Sequence, residues 1–301
     1  MICSQLSGKS FCDCINWKGV CIYQEYHNNE NKIKPGRKEI LCKILNKTYL
    51  EPDVISMTIL IPHKLAQDLY AVGSYVFMRN PESISYYDVP ISVMDVNLEE
   101  NTITLVIEIK GVKTKSIEKL CEDEKIVLRG PYWNGVFGIK NIYNAKEGNS
   151  IVISRGIGMA PMIPVIRKLY SNGNKITLIL DKGGYKNNFV EEELKKYDVS
   201  LIECDVLEGG ELTEDIKNIL DNLIKDKDIN LIHCSGADIL IFKIVEFNNK
   251  RVKLSCCNNA KMCCGEGVCG SCSHRYKGHK QKRFCKIQTE PENIFEGRRF
   301  I

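Results

Sequence analysis

Long apolar runs are missing from this sequence. The longest, such as residues 239–242, are broken by polar residues far short of a bilayer's width, so no membrane span is expected. The first 19 residues hold Cys3, Lys9, Cys12, Asp13, Cys14 and Lys18 and no apolar signal core, which points to a cytoplasmic protein. An excess of one charge is also missing. The 42 Lys and Arg face 38 Asp and Glu, a net charge of +4, and no arginine-rich helix or aromatic-interleaved basic stripe invites nucleic acid. Histidine is scarce: His27, His63, His233, His274 and His279 are scattered. No nucleophile–base pair, HExxH motif or paired carboxylates appear, so no catalytic residue is assigned. Internal repeats are absent too.

Cysteine is abundant instead, with fifteen in 301 residues. In a cytoplasmic chain of this size, clustered cysteines point to metal or redox chemistry rather than to disulfides. Four lie before Asn28 and seven between Cys256 and Cys285, while Cys42, Cys121, Cys204 and Cys234 sit among apolar neighbours and read as small buried hydrophobes.

Four segments follow along the chain. Residues 1–38 form a cysteine-rich N-terminal extension with no helix or strand period. Residues 39–138 carry six short runs rich in Val, Ile and Thr, at 39–46, 54–61, 73–78, 90–96, 102–109 and 125–129. That spacing predicts a small antiparallel β-barrel with one short helix at 64–70. Residues 148–250 alternate. Strands at 150–154, 175–180, 200–205 and 230–233 are separated or followed by helices at 162–171, 190–197, 212–224 and 238–248, predicting a doubly wound parallel sheet. Residues 251–301 are rich in cysteine and glycine, then basic. The fold class is multi-domain α+β: an antiparallel barrel, an α/β domain with a doubly wound parallel sheet, and a C-terminal iron–sulfur segment.

The sharpest motif is Met262-Cys263-Cys264-Gly265-Glu266-Gly267-Val268-Cys269-Gly270-Ser271-Cys272, followed by Cys285. From Cys264 the spacing is C-x4-C-x2-C-x12-C, the plant-type arrangement for a [2Fe–2S] cluster. The glycines permit positive φ and let the loop wrap thiolates round two irons. A zinc site also accepts four thiolates, but zinc ribbons pair two short hooks, whereas three candidate ligands here share one loop. Cys263 is out of register, and Cys256 and Cys257 read as non-ligands. The basic run from His274 to Arg283 reads as a solvated loop, with docking of an acidic carrier as its functional alternative. At the other end, Cys3, Cys12, Cys14 and Cys21 form C-x8-C-x-C-x6-C, a candidate second metal site for zinc or another iron–sulfur cluster.

With a barrel, a Rossmann-like half and this C-terminal motif, the chain resembles the electron-transfer subunit of class 1B dihydroorotate dehydrogenase, of the ferredoxin–NADP reductase superfamily. It is also similar to the small subunits of sulfide dehydrogenases and NADH-dependent ferredoxin–NADP oxidoreductases. The resemblance covers roughly residues 39–290. It implies FAD on the barrel, NAD(P)H approaching from the α/β domain, and a cluster passing electrons to a partner. The family's Arg-Pro-[Ile/Leu]-Ser appears as Val89-Pro90-Ile91-Ser92, its next flavin strand as Val106-Ile107-Glu108, and its Gly-x-Gly-Thr turn as Gly111-Val112-Lys113-Thr114. Val89 and Glu108 replace expected arginines, and Lys113 brings one positive charge back. Ser154-Arg155-Gly156-Ile157-Gly158-Met159-Ala160-Pro161 is similar to the nucleotide turn Gly-Gly-Gly-x-Gly-x-Ala-Pro, with Arg155 placed either to contact a phosphate or to block the turn. Cys234-Ser235-Gly236 is what remains of a Cys-Gly-Pro motif.

The resemblance implies an oxidoreductase: a flavin and [2Fe–2S] electron-transfer subunit linking NAD(P)H or ferredoxin to a catalytic flavin-oxidoreductase partner. The altered motifs support an alternative, a non-enzymatic iron–sulfur carrier module that has lost its flavin or nicotinamide. A redox- or metal-sensing regulator, suggested by the N-terminal thiols, lacks any DNA-reading element.

Overall fold

The computed structural model describes residues 4, 5, 8–10, 12, 21–28, 30–32, 37–276 and 280–295. The chain divides into two units, Met1–Lys38 and Glu39–Ile301. In the first, helix α1 (Ile22–Asn28) forms where the sequence shows no helical period. Its start is satisfied locally: the Cys21 thiol accepts the Gln24 N–H at 3.4 Å, and the Tyr23 ring packs edge-on to His27.

The second unit begins with the barrel. Its elements are β1 (Glu39–Glu51), β2 (Val54–Leu60), α2 (His63–Leu69), β3 (Tyr75–Arg79), β4 (Val89–Asn97), β5 (Thr102–Glu108), α3 (Val112–Glu118) and β6 (Lys125–Tyr132). The strands close in the order β1-β2-β5-β4-β3-β6, all antiparallel. Alternation decides what faces inward. On β5, Ile103, Leu105 and Ile107 enter the barrel core with Ile44, Ile55, Met57, Ile59 and Val76, which sends Val106 and Glu108 to the opposite face. β1 runs five residues past its expected end because two register shifts let it bend round the barrel.

The chain continues through β7 (Val136–Phe137), α4 (Ile139–Asn144), β8 (Asn149–Arg155), α5 (Met159–Ser171), β9 (Lys175–Asp181), the single turn α6 (Glu191–Leu194) and β10 (Val199–Glu203). A two-residue hairpin, β11 (Leu207–Glu208) and β12 (Glu211–Leu212), precedes α7 (Glu214–Asp226), β13 (Ile229–Ser235), α8 (Asp238–Asn248) and β14 (Leu254–Cys257). The sheet order is β10-β9-β8-β13-β14-β7, parallel except at β7. β8 and β9 are buried almost throughout, as expected where helices cover both faces. α5 packs on one face in a core shared with Val54, Met94 and Val106 of the barrel, and α7 and α8 cover the other. β14 lies beyond residue 250, where the sequence ends the α/β domain, and β7 comes from the stretch assigned to the barrel. A last hairpin, β15 (Ser273–Tyr276) and β16 (Lys280–Arg283), replaces the expected basic loop. Among the described residues, no helix is long and apolar enough to cross a membrane.

Of the isolated cysteines, Cys42 and Cys234 are buried and Cys204 is intermediate, but Cys121 is exposed, because it opens the turn before β6 rather than joining a strand. His233 is fully buried on β13, its Nδ1 2.9 Å from the Ser255 hydroxyl. Burial pushes its imidazole down to about 3 from 6.5. The folded chain therefore stays neutral there while the unfolded chain takes up a proton below about pH 6.5, so stability falls as pH falls through that window. His233→Gln should flatten the decline between pH 6 and 4 by up to about 1.4 kcal/mol per pH unit, as read from urea unfolding. A second test concerns Gly158. A Cβ there would lie 2.4 Å from the Ser235 carbonyl oxygen, and backbone cannot swing aside. Gly158→Ala should cost about 1–3 kcal/mol, measured by the same unfolding curves.

Candidate functional site

Where barrel and sheet meet, a cavity of about 280 Å³ opens. Its barrel wall is Val89, Pro90, Ile91, Ser92, Val106, Glu108 and Thr114. Its opposite wall is Ile157, Gly158, Ala160 and Pro161 at the start of α5, with Gly236, Cys257, Asn258 and Asn259 from the ends of β13 and β14. Most residues of the two cofactor motifs thus face one space. Ile107 does not: its side chain points into the barrel core, off the cavity wall. Gly156 and Lys113 also lie off the cavity wall. A second cavity, about 300 Å³, shares Pro90, Ser92, Gly135, Asn258 and Asn259 and reaches Tyr75 and Met262. Beyond α3 lies a wider groove of about 590 Å³ lined by Tyr87, Lys115, Ser116 and Lys119.

The charges around the cavity are largely committed. Glu108 accepts the Tyr185 hydroxyl at 2.8 Å and pairs with Lys110 at 2.8 Å. Burial, then this bond, pushes the Tyr185 phenol up. The buried Glu51 carboxylate accepts the backbone N–H groups of Lys186 and Asn187, so two barrel carboxylates strap the 182–190 loop down. Asp88, buried just before Val89, holds Arg79 at 2.9 Å on one oxygen and Arg129 at 2.9 Å on the other. Neither arginine takes the place of the cation missing at Val89. Lys113 donates to the Tyr86 carbonyl and lies 4.5 Å from the Tyr86 ring centroid. Arg155 pairs with buried Asp181 at 2.8 Å and stays off the cavity wall, so it does not plug the space.

The cysteine loop is seated against the barrel. Gly265, Gly267 and Gly270 all have positive φ, and a Cβ on Gly265 would meet the Tyr132 ring at 2.5 Å. The loop's end is fixed by Phe284, fully buried edge-on to Phe137, whose N–H donates to the Cys272 carbonyl at 3.0 Å. That bond sets Cys285 beside Cys272. Burial pushes the Cys264 thiol up, but N–H groups of Cys269, Glu266 and Val268 and the Cys269 thiol outweigh it and bring it down to about 7. For Cys285, burial and then the Cys272 thiol push it up to about 12. Cys269 thus adjoins Cys264, and Cys285 feels both Cys272 and Cys264. Among the described residues no three metal-ligating side chains close on one point.

Cys263 is exposed and turns toward Cys269 rather than away, its thiol pushed up by burial and by that neighbour with Lys113 pulling it back. Cys3 and Cys14 lie outside the described residues, and Cys12 and Cys21 are exposed. The sequence assigned no role to Cys257, yet the residue lines the cavity and its thiol lies 2.9 Å from the Ser235 hydroxyl, which donates to the Gly158 carbonyl. Nor did it connect Arg129 with the loop. The signal for Cys257 was its position at the carboxyl end of a strand, which becomes visible once β14 is recognised.

No protein-family model matches the chain. It is 25% identical over 224 residues to the dihydroorotate dehydrogenase B (NAD+) electron transfer subunit of Streptococcus mutans, covering 74% of this chain and 84% of that protein. The counterpart of Clostridium perfringens is 27% identical over 217 residues, covering 71% and 82%. Among solved structures, a chain of an NADH-dependent reduced ferredoxin–NADP oxidoreductase studied for flavin-based electron bifurcation superposes with a TM-score of 0.67 at 20% identity, covering 85% of this chain and 90% of that one. A ferredoxin–NADP+ reductase from Plasmodium falciparum gives 0.51 at 18% identity, covering 72% and 96%. In sequence the chain resembles the electron-transfer subunits of dihydroorotate dehydrogenase B, and its fold is that of the ferredoxin–NADP reductases.

Proposed function

We propose that this chain is an oxidoreductase electron-transfer subunit that carries FAD at the junction cavity and a [2Fe–2S] cluster on Cys264, Cys269, Cys272 and Cys285. One observation carries the reading: residues of the flavin-like and nucleotide-like motifs line a single cavity, and the space adjoining it ends at Met262, next to the cysteine loop. When bound, a flavin supplies the exchange between a two-electron hydride and the single electrons that an iron–sulfur cluster accepts.

The chain's own residues would then act as follows. Pro90, Ile91 and Val106 offer an apolar wall to an aromatic ring system. Thr114 and Ser92 supply hydroxyls. Lys115 and Lys119 line the groove that would take the rest of a dinucleotide, and Lys113, next to Thr114 in α3, adds positive charge between that groove and the cavity. Lys110 offsets the carboxylate of Glu108. Gly158 and Ala160 keep the start of α5 narrow enough for NAD(P)H to approach across from the barrel. The partner is a catalytic flavin-oxidoreductase subunit or a ferredoxin. The N-terminal thiols Cys3, Cys12, Cys14 and Cys21 would hold zinc or a further cluster.

A second reading, a carrier module without flavin, is favoured by the commitment of both Arg79 and Arg129 to Asp88, which leaves Val89 without a replacement cation. Oxygen-free purification separates the two. Flavin released on heating, together with visible bands that bleach with dithionite, supports the first. Bleaching bands without flavin support the second. Metal counting should give two irons per chain for the C-terminal loop, and anything beyond that belongs to the N-terminal thiols. Cys269→Ser should remove the bound iron and the cluster's own absorption and leave flavin in place, so unchanged iron content would overturn the ligand assignment. Lys113→Ala should weaken flavin retention about tenfold, as read by released flavin after dialysis.

A further inference from the structure

The iron–sulfur reading leaves open what holds the cluster loop at the barrel, and one side chain answers it. Arg129 stands on β6, its Nε and Nη2 both on one carboxylate oxygen of Asp88 at 3.1 and 2.9 Å. Its guanidinium carbon lies 4.5 Å from the Phe77 ring centroid. The remaining nitrogen, Nη1, donates to the Cys264 carbonyl at 3.1 Å and to the Tyr132 hydroxyl, which in turn bonds to the Glu266 carboxylate. Asp88 is anchored from the other side by Arg79 and directly precedes the cavity-lining Val89. A planar fork with separate donors is the side chain that makes these contacts at once, and a lysine ammonium cannot.

We propose that Arg129 is a positioning residue for the cluster. It fixes the backbone of the first ligand, Cys264, against the barrel wall and places a permanent positive charge beside the cluster. The inference rests on the reading of Cys264 as a ligand. Reduction adds negative charge to a cluster that is already anionic, so a neighbouring guanidinium favours the reduced form. Its removal should do the reverse.

The test is a dye-mediated redox titration of the full chain, followed by low-temperature electron paramagnetic resonance. In Arg129→Met the cluster should persist, with its reduction equilibrium weakened about tenfold or more and its midpoint shifted downward. Arg129→Lys keeps the charge and should recover most of that shift. Equal midpoints in the native chain and in Arg129→Met would overturn the proposal while leaving the cluster reading intact. A native chain with neither iron nor a reduced-cluster signal would overturn both. If Arg129→Met fails to fold, Tyr132→Phe carries the test: it keeps the ring under Gly265 and removes one hydroxyl from the same network. A smaller downward shift is expected there, and an unshifted midpoint would overturn the proposal.

Discussion

A carboxylate buried in a barrel wall has to be met by charge, and Asp88 is met twice. Arg79 closes one oxygen and reaches on to Glu39 on β1, so the pair also clamps the barrel's first strand beside β3 and β6. Arg129 closes the other oxygen and reaches out to the cysteine loop. Removing either partner would leave charge uncompensated away from water, a cost well above that of losing a surface ion pair. The barrel's shape, the position of the strand that begins at Val89 and the seat of the loop therefore share one electrostatic anchor.

The cavity is a consequence of how two different sheets are joined. α5 packs its apolar face into a core to which the barrel contributes Val54, Met94 and Val106. Arg167 on the same helix adds a bond to Asp95 of β4. Because the contact is made along the length of α5, the start of that helix stands over the barrel wall without touching all of it. The space left open is bounded by small residues on one side and by β4 and β5 on the other. Carboxylates at 51 and 108 hold the far edge through the 182–190 loop.

Much of this was legible in the residues. Short runs rich in Val, Ile and Thr located the six barrel strands, five of them to within three positions at either end, while β1 ran on past its expected stop. The thiol spacing pointed to the loop, and the turn at Gly156 pointed to the start of α5. Other features were not legible, for physical reasons. β7 has two residues, too few for any period, and β14 reads as a cysteine pair because its four positions are all buried. The roles of Asp88 and Arg129 depend on partners 41 residues apart in one bond and 135 in the other, which no local pattern encodes. A motif carried over as a block also hides that a strand presents only every second side chain to one face, so Val106 lines the cavity while Ile107 enters the barrel core.

The position of β14 bears on modularity. It lies inside the sheet, with β13 on one side and β7 on the other, and the cysteine loop springs directly from its end. Amide side chains at Asn134 and Asn258 then tie residues 284–287 back to the connection between barrel and sheet. The cysteine segment is thus no detachable tail. Excising it at residue 250 would strip a strand from the sheet, strand β7 without a neighbour and bare a buried edge. Recombination of this segment with another scaffold would have to carry a sheet strand along with its thiols.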